Sequence, residues 1–93
     1  MIPEVQLAAS PPVVLIGRST TLTCNVTRAN PTDYTTFTWT LNSTALPETG
    51  NTLTLSPVRE SDLGVYRCKV TNSAGTGNGT FNLALGKSNI SFV

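Results

Sequence analysis

The residues with the most specific chemistry are two cysteines, Cys24 and Cys68, with the chain's one tryptophan, Trp39, between them. Two cysteines permit one pairing. A 24–68 bridge would close a loop of about 45 residues and stabilise the fold by about 4 kcal/mol. That is a large share of the ~5–15 kcal/mol that holds a domain folded. The alternative is a pair of free, buried cysteines in an intracellular domain.

The sequence contains few residues that could catalyse a reaction or bind a metal. The chain has no histidine, so neither a Ser-His-Asp nor a Cys-His arrangement can be built. Two cysteines fall short of a closed zinc site, and the carboxylates do not follow a calcium-loop spacing. Glu60 and Asp62 resemble an acid–base pair only by proximity, and we interpret them as turn residues. The sequence therefore predicts no enzyme, no cofactor and no metal.

Four Asn-x-Ser/Thr triplets could accept N-linked glycans: Asn25, Asn42, Asn78 and Asn89. About two such triplets are expected by chance from this composition, so we predict that about half are used. The alternative for Asn42 and Asn78 is that they are turn residues. Glycans and a disulfide would both place the chain in an oxidising, extracellular compartment, at a cell surface or secreted.

The charge is nearly balanced, with six basic and five acidic residues among 93 and a net charge of +1. No basic stripe is available to neutralise phosphates, so we predict no nucleic-acid partner. No apolar run approaches the ~20 residues that span a bilayer, and no signal peptide is recognised. We expect no direct membrane insertion and interpret the chain as a piece of a longer protein, with residues 1–2 as an added initiator or linker.

Apolar and polar residues alternate with a period of two in several short segments. This pattern is typical of antiparallel sheets with one buried face. The predicted inward positions are Leu22, Cys24, Val26, Phe37, Trp39, Leu41, Leu53, Leu55, Tyr66, Cys68, Val70, Phe81, Leu83 and Leu85.

Proline and glycine divide the remaining segments. Pro11 and Pro12 separate two predicted edge strands, Val5–Ala8 and Val13–Ile16. A single helical turn is predicted at Arg59–Asp62. The three glycines within Asn72–Gly79 predict a hairpin tip.

These residues together resemble the immunoglobulin superfamily over most of the chain. Its marks are a bridge between strands B and F, a strand C tryptophan and a tyrosine two residues before the second cysteine. The matching positions are Cys24, Trp39, Leu55, Asp62, Gly64, Tyr66 and Cys68, with Asn72–Gly75 resembling the opening of the last hairpin. The resemblance implies a two-sheet antiparallel Greek-key sandwich with one inter-sheet disulfide, Cys24–Cys68.

The resemblance also assigns roles to single residues. The indole of Trp39 would cover the bridge and need a hydrogen-bond partner, and the Tyr66 hydroxyl would bond the backbone near Asp62. Few positions separate Trp39 from Leu53, which favours a C2-type or compact I-type domain. No Arg or Lys lies in that window, so Arg59 or Arg18 would have to pair with Asp62.

We expect the domain to cover residues 3–86, with 87–93 as a linker or the start of a next domain. The predicted function is that of a non-catalytic module in a cell-surface adhesion molecule or receptor, contacting other proteins, possibly the same protein, and tandem Ig-like neighbours. One alternative is a spacer domain in a secreted or matrix protein. Another is an intracellular muscle-type domain with reduced cysteines.

The implied sheets also suggest which face would meet a partner. A glycan on Asn25 would cover the sheet made by strands A, B and E, leaving the face of strands C, F and G. By parity the outward residues of that face are Thr36, Thr38, Thr40, Arg67, Lys69, Thr71, Asn82 and Ala84. This surface lacks the aromatic anchors of strong interfaces, so we predict a weak contact.

Overall fold

The computed structural model describes residues 1–11, 14–33 and 36–85. Within them, seven strands form two antiparallel sheets, in the orders β1-β2-β5 and β4-β3-β6-β7. Their bounds are β1 Glu4–Ser10, β2 Thr20–Arg28, β3 Phe37–Leu41, β4 Thr44–Ala45, β5 Thr52–Leu55, β6 Gly64–Asn72 and β7 Gly75–Leu83. A 3₁₀ turn, Glu60–Asp62, crosses from one sheet to the other, as predicted. The predicted all-β sandwich is confirmed.

The centre of the sandwich is the bridge that the cysteine count allows. Cys24 of β2 is bonded to Cys68 of β6, with their Cα atoms 6.3 Å apart, so the bond joins the two sheets. Trp39 is fully buried beside it in the core. The other buried apolar residues of this cluster are Val14, Leu22, Val58, Tyr66, Val70 and Leu83. The inter-sheet disulfide is confirmed.

The two large polar aromatics of the core each donate a hydrogen bond to backbone. The Trp39 Nε1–H donates to the Gly50 carbonyl at 2.8 Å, and the Tyr66 hydroxyl donates to the Asp62 carbonyl at 2.6 Å. Burial, with the nearby Asp62 charge as a smaller cause, raises the pKa of Tyr66 to about 12. Both rings therefore enter the core with their polar atoms satisfied.

The prediction that an arginine side chain pairs with Asp62 is wrong. The Asp62 carboxylate instead accepts the backbone N–H of Arg59 at 2.8 Å, closing the 3₁₀ turn on itself. Among the described residues, neither Arg59 nor Arg18 forms an ion pair with it.

The prediction of a second edge strand at Val13–Ile16 is also wrong for the part described, Val14–Ile16. The Arg18 N–H donates to the Leu15 carbonyl, and the Gly17 N–H donates to the Val58 carbonyl, so this run makes a turn. Val13 lies outside the described residues. The first strand is longer than predicted because β1 continues to Ser10, opposite Thr21.

The predicted hairpin tip at Asn72–Gly79 is wrong in its extent. The turn occupies only Asn72–Gly75, where the Asn72 Oδ1 accepts the N–H groups of Ala74 and Gly75. Asn72 also donates to the carbonyls of Met1 and Pro31 and is 7% exposed. Its short side chain thus satisfies four backbone groups.

Gly77 and Gly79 lie inside β7, on its inward side, where β1 crosses it. A Cβ on Gly77 would collide with the Pro3 carbonyl oxygen, and one on Gly79 would lie 2.8 Å from the Val5 carbonyl oxygen. The glycines therefore let the two sheets approach at this edge by backbone contact. Leu85, predicted to face inward, is 47% exposed because β7 ends at Leu83.

Candidate contact surface

The outer face of the four-stranded sheet is built around two cations on β6, Arg67 and Lys69. Strand β3 places Thr40 opposite Arg67 and Thr38 opposite Lys69. Strand β7 supplies Thr80 and Asn78 on their other side. We call this surface the contact face; its residues are Thr36, Thr38, Thr40, Val65, Arg67, Lys69, Thr71, Thr76, Asn78, Thr80, Asn82 and Ala84.

The positions predicted for this face from sequence parity point outward. Thr40 is half-buried, and the other seven predicted positions are exposed. The prediction missed Val65, Thr76, Asn78 and Thr80. Thr76 and Asn78 were missed because β7 was taken to begin after Gly79, whereas Thr80 was predicted to point outward but was not assigned to the face. Counting back from Asn82 in steps of two would have found all three.

Arg67 and Lys69 have no partner among the described residues. Both are exposed, and neither takes part in an ion pair or a side-chain hydrogen bond there. Two residues apart on one strand, their Cα atoms are separated by about 7 Å. The contact face therefore presents two adjacent positive charges, framed by threonine hydroxyls and asparagine amides, that are open to a partner.

The outer face of the three-stranded sheet is different. It is covered by small polar side chains, and Thr21 and Thr54 approach each other across β2 and β5 at 3.4 Å. The charged residues of its strands, Glu4 and Arg28, lie together at one end of β1 and β2. The middle of this face carries no charge.

The four glycosylation triplets occupy different settings. Asn25 is exposed in β2, in the middle of the three-stranded sheet and opposite Gln6. Asn78 is exposed in β7 and lies opposite Lys69; it is not in a turn. Asn89 lies outside the described residues. Glycosylation at these asparagines stays a prediction.

Asn42 is in a turn and its side chain is engaged. It adopts φ 49° between β3 and β4, and its Oδ1 accepts the Val65 N–H at 2.9 Å. The same amide lies against Gly64, whose φ is +144° and where a Cβ would meet the amide atoms at 2.5 Å. Gly64 thus serves both a backbone geometry and a close contact that side chains do not permit.

A hollow of about 290 Å³ opens between the sheets at the edge near β4 and β5. Its apolar lining comes from Leu41, Leu46, Leu53 and Leu55. The Glu48 carboxylate beside it accepts the N–H groups of Thr49 and Gly50. No group of three or more potential metal ligands is found in the described part of the chain. Asp62 and Tyr66 also line the hollow, and their carboxylate and hydroxyl are engaged in hydrogen bonds to backbone.

A family model described as "Immunoglobulin domain" matches residues 2–72. The chain belongs to the immunoglobulin superfamily. Its short β4 lies beside β3, and among the described residues nothing pairs with the free side of β5, which fits the shortened middle of the sequence.

Solved structures of chains with several Ig domains resemble this immunoglobulin domain. The mouse nectin-like molecule 4 full ectodomain, Ig1–Ig3, matches with a TM-score of 0.79 and 29% identity over 98% of this chain and 32% of that one. The N-terminal four Ig domains of Dscam1 isoform 4.44 match with a TM-score of 0.72 and 27% identity over 89% of this chain and 21% of that one. This chain thus spans less than a third of either molecule.

No helix among the described residues is both long and apolar enough to cross a membrane.

Proposed function

We propose that this domain is a non-catalytic, extracellular contact module of an adhesion molecule or receptor, and that it meets its protein partner through the contact face. The observation that carries the proposal is the pair of unpartnered cations, Arg67 and Lys69, in the middle of that face. The inter-sheet disulfide supports an extracellular location, since such bonds persist in oxidising compartments. The similarity to multidomain ectodomains supports tandem Ig-like neighbours.

The positive charge of the contact face restricts which proteins can bind there. Two copies meeting face to face would bring their Arg67 and Lys69 side chains together, and like charges at an interface are unfavourable. A partner with acidic groups would gain attraction and a faster encounter instead. The face holds threonines and asparagines but no aromatic anchor, so each contact is weak and adhesion depends on many copies acting together.

A bead assay with matched charge variants tests the proposal. Beads coated with the domain, made in a host that attaches no N-linked glycans, are mixed with beads coated with other Ig ectodomains of known charge, and with beads carrying the same unglycosylated domain. We expect Arg67→Ala with Lys69→Ala to abolish adhesion to acidic ectodomains. Arg18→Ala with Arg28→Ala removes the same net charge away from the face and should leave adhesion intact.

The salt dependence gives a second measurement. Adhesion through exposed cations should weaken steeply as ionic strength rises, because screening shortens the reach of the charges. Adhesion that both double variants retain would place the partner site elsewhere. No adhesion by any form would favour the spacer function.

A further inference from the structure

Among the glycosylation triplets that the structure describes, only the Asn78 triplet lies on the contact face. Asn78 lies in the middle of β7, pointing outward, with Lys69 directly opposite on β6. Thr80, the hydroxyl residue of the same triplet, lies directly opposite Arg67. The acceptor amide and its required hydroxyl therefore stand beside the two cations.

The amide of Asn78 is also unengaged. No hydrogen bond or other interaction joins it to the residues described. Asn42 differs, since its amide bonds Val65 and packs on Gly64. Asn25 is exposed too, but it projects from the opposite sheet. A modification at Asn78 alone would alter the contact face without disturbing a hydrogen bond.

The spacing decides what a glycan there would cover. Side chains directly opposite on antiparallel strands have Cβ atoms about 5 Å apart, and diagonal neighbours lie within about 8 Å. The first sugars on Asn78 would therefore stand over Lys69 and reach Arg67. A glycan is bulky and strongly hydrated, so a protein partner could not reach the cations beneath it.

We propose that Asn78 is a glycan acceptor whose glycan closes the contact face, so that copies lacking it are the binding-competent form. This rests on the proposed function of that face. In the transfer step, the Asn78 Nδ2 bonds to the anomeric carbon of an oligosaccharide carried on a polyprenyl diphosphate. The bond from that carbon to the diphosphate oxygen breaks, the diphosphate leaves with the bonding electrons, and the amide proton goes to solvent.

The test compares four forms of the chain secreted from an animal-cell host. Wild type and Thr80→Ser keep the triplet, whereas Asn78→Gln and Thr80→Ala each destroy it at a different residue. Occupancy is measured by mass after peptide N-glycosidase, which leaves an aspartate where a glycan was attached. We expect Asn78 to be occupied in the first two forms and unmodified in the last two.

The masking is measured as the rate at which an amine-reactive ester acetylates Lys69, followed on its tryptic peptide. We expect the rate to rise several-fold in Asn78→Gln and Thr80→Ala, and to stay at the wild-type value in Thr80→Ser. Asn25→Gln, which acts on the other sheet, should leave the Lys69 rate unchanged. An unoccupied Asn78 in the secreted wild type, or equal Lys69 rates in all forms, would overturn the proposal.

The two proposals fail in different ways. If removing the glycan exposes Lys69 but bead adhesion does not appear, the glycan still closes the face and the contact function is wrong. If the glycosylated and unglycosylated forms adhere equally through Arg67 and Lys69, the function stands and the masking is wrong.

Discussion

The two sheets are held together in different ways at the centre and at one edge of the sandwich. At the centre, the Cys24–Cys68 bond and the Trp39 indole fill the space between β2, β3 and β6. At the edge, the chain entering β1 comes so close to β7 that the Pro3 carbonyl occupies the place where a side chain of Gly77 would be. The centre is joined by large side chains, whereas the edge is joined by direct backbone contact at the glycines of β7.

The centre and the edge therefore stabilise the fold by different physical effects. The bridge acts largely by limiting the unfolded chain, so its contribution does not depend on fine packing around it. The edge where β1 passes Gly77 and Gly79 depends on close packing, so a single added methyl group disturbs it.

Removing the bridge should have the largest effect. Cys24→Ala with Cys68→Ala should lower the free energy of unfolding by about 4 kcal/mol, because the unfolded chain regains the freedom of the closed loop. Urea unfolding measures it. Reductant should destabilise the wild type and leave the double variant unchanged, because the chain has no other cysteine. A wild type that is insensitive to reduction would contradict the assignment of the centre.

Adding one methyl group at the edge should have an intermediate effect. Gly77→Ala should cost about 1–3 kcal/mol because β1 must move away from β7. Gly79→Ala should cost less, since its nearest backbone contact is less severe. Hydrogen exchange should accelerate in β1 while β2 and β6 stay protected.

Asn82→Ala is the control for the edge. It lies on the outward side of β7, so it should change the free energy of unfolding by less than about 0.5 kcal/mol. Equal costs for Gly77→Ala and Asn82→Ala would mean that the close approach of β1 does not matter for stability.

The smallest effect should come from one hydrogen bond at the end of β6. Tyr66→Phe removes the donor to the Asp62 carbonyl and should cost about 1 kcal/mol. Well below pH 10 the phenol is protonated in both states. As pH rises from 10 to 12, the unfolded chain ionises first, because folding raises the pKa of Tyr66 from 10.0 to about 12, so stability falls over that range.

An absorbance titration with parallel unfolding curves measures this pH dependence. Tyr66→Phe should remove the late-titrating tyrosine and flatten the alkaline fall in stability. Tyr34→Phe, at the chain's other tyrosine, should leave that fall in place. A wild type in which both tyrosines titrate near pH 10 would contradict the prediction.

The centre could be predicted from the sequence because its parts are distinctive. Sulfur atoms, an indole and a phenol each bring a chemistry that only a few arrangements satisfy, and Cys24, Trp39 and Tyr66 took the expected ones. The contact face followed from alternation along β3 and β6, where polar and apolar residues differ clearly.

The edge could not be predicted in the same way. Glycine contributes no side chain, so Gly77 and Gly79 appeared to mark a turn, and their partners Pro3 and Val5 lie at the other end of the sequence. The β-branched and aliphatic run ending at Ile16 suggested a strand, but its backbone bonds to Val58 and to its own turn. Long-range backbone contacts of this kind leave no local pattern.

The bond between β2 and β6 also determines how far the chain can be stretched. The two cysteines are 44 positions apart in sequence, so the segment between them cannot extend under tension while the sulfurs are joined. At about 3.4 Å per residue, roughly 150 Å of contour length is withheld. Force applied to the two ends of the domain would therefore extend the oxidised chain much less than the reduced chain.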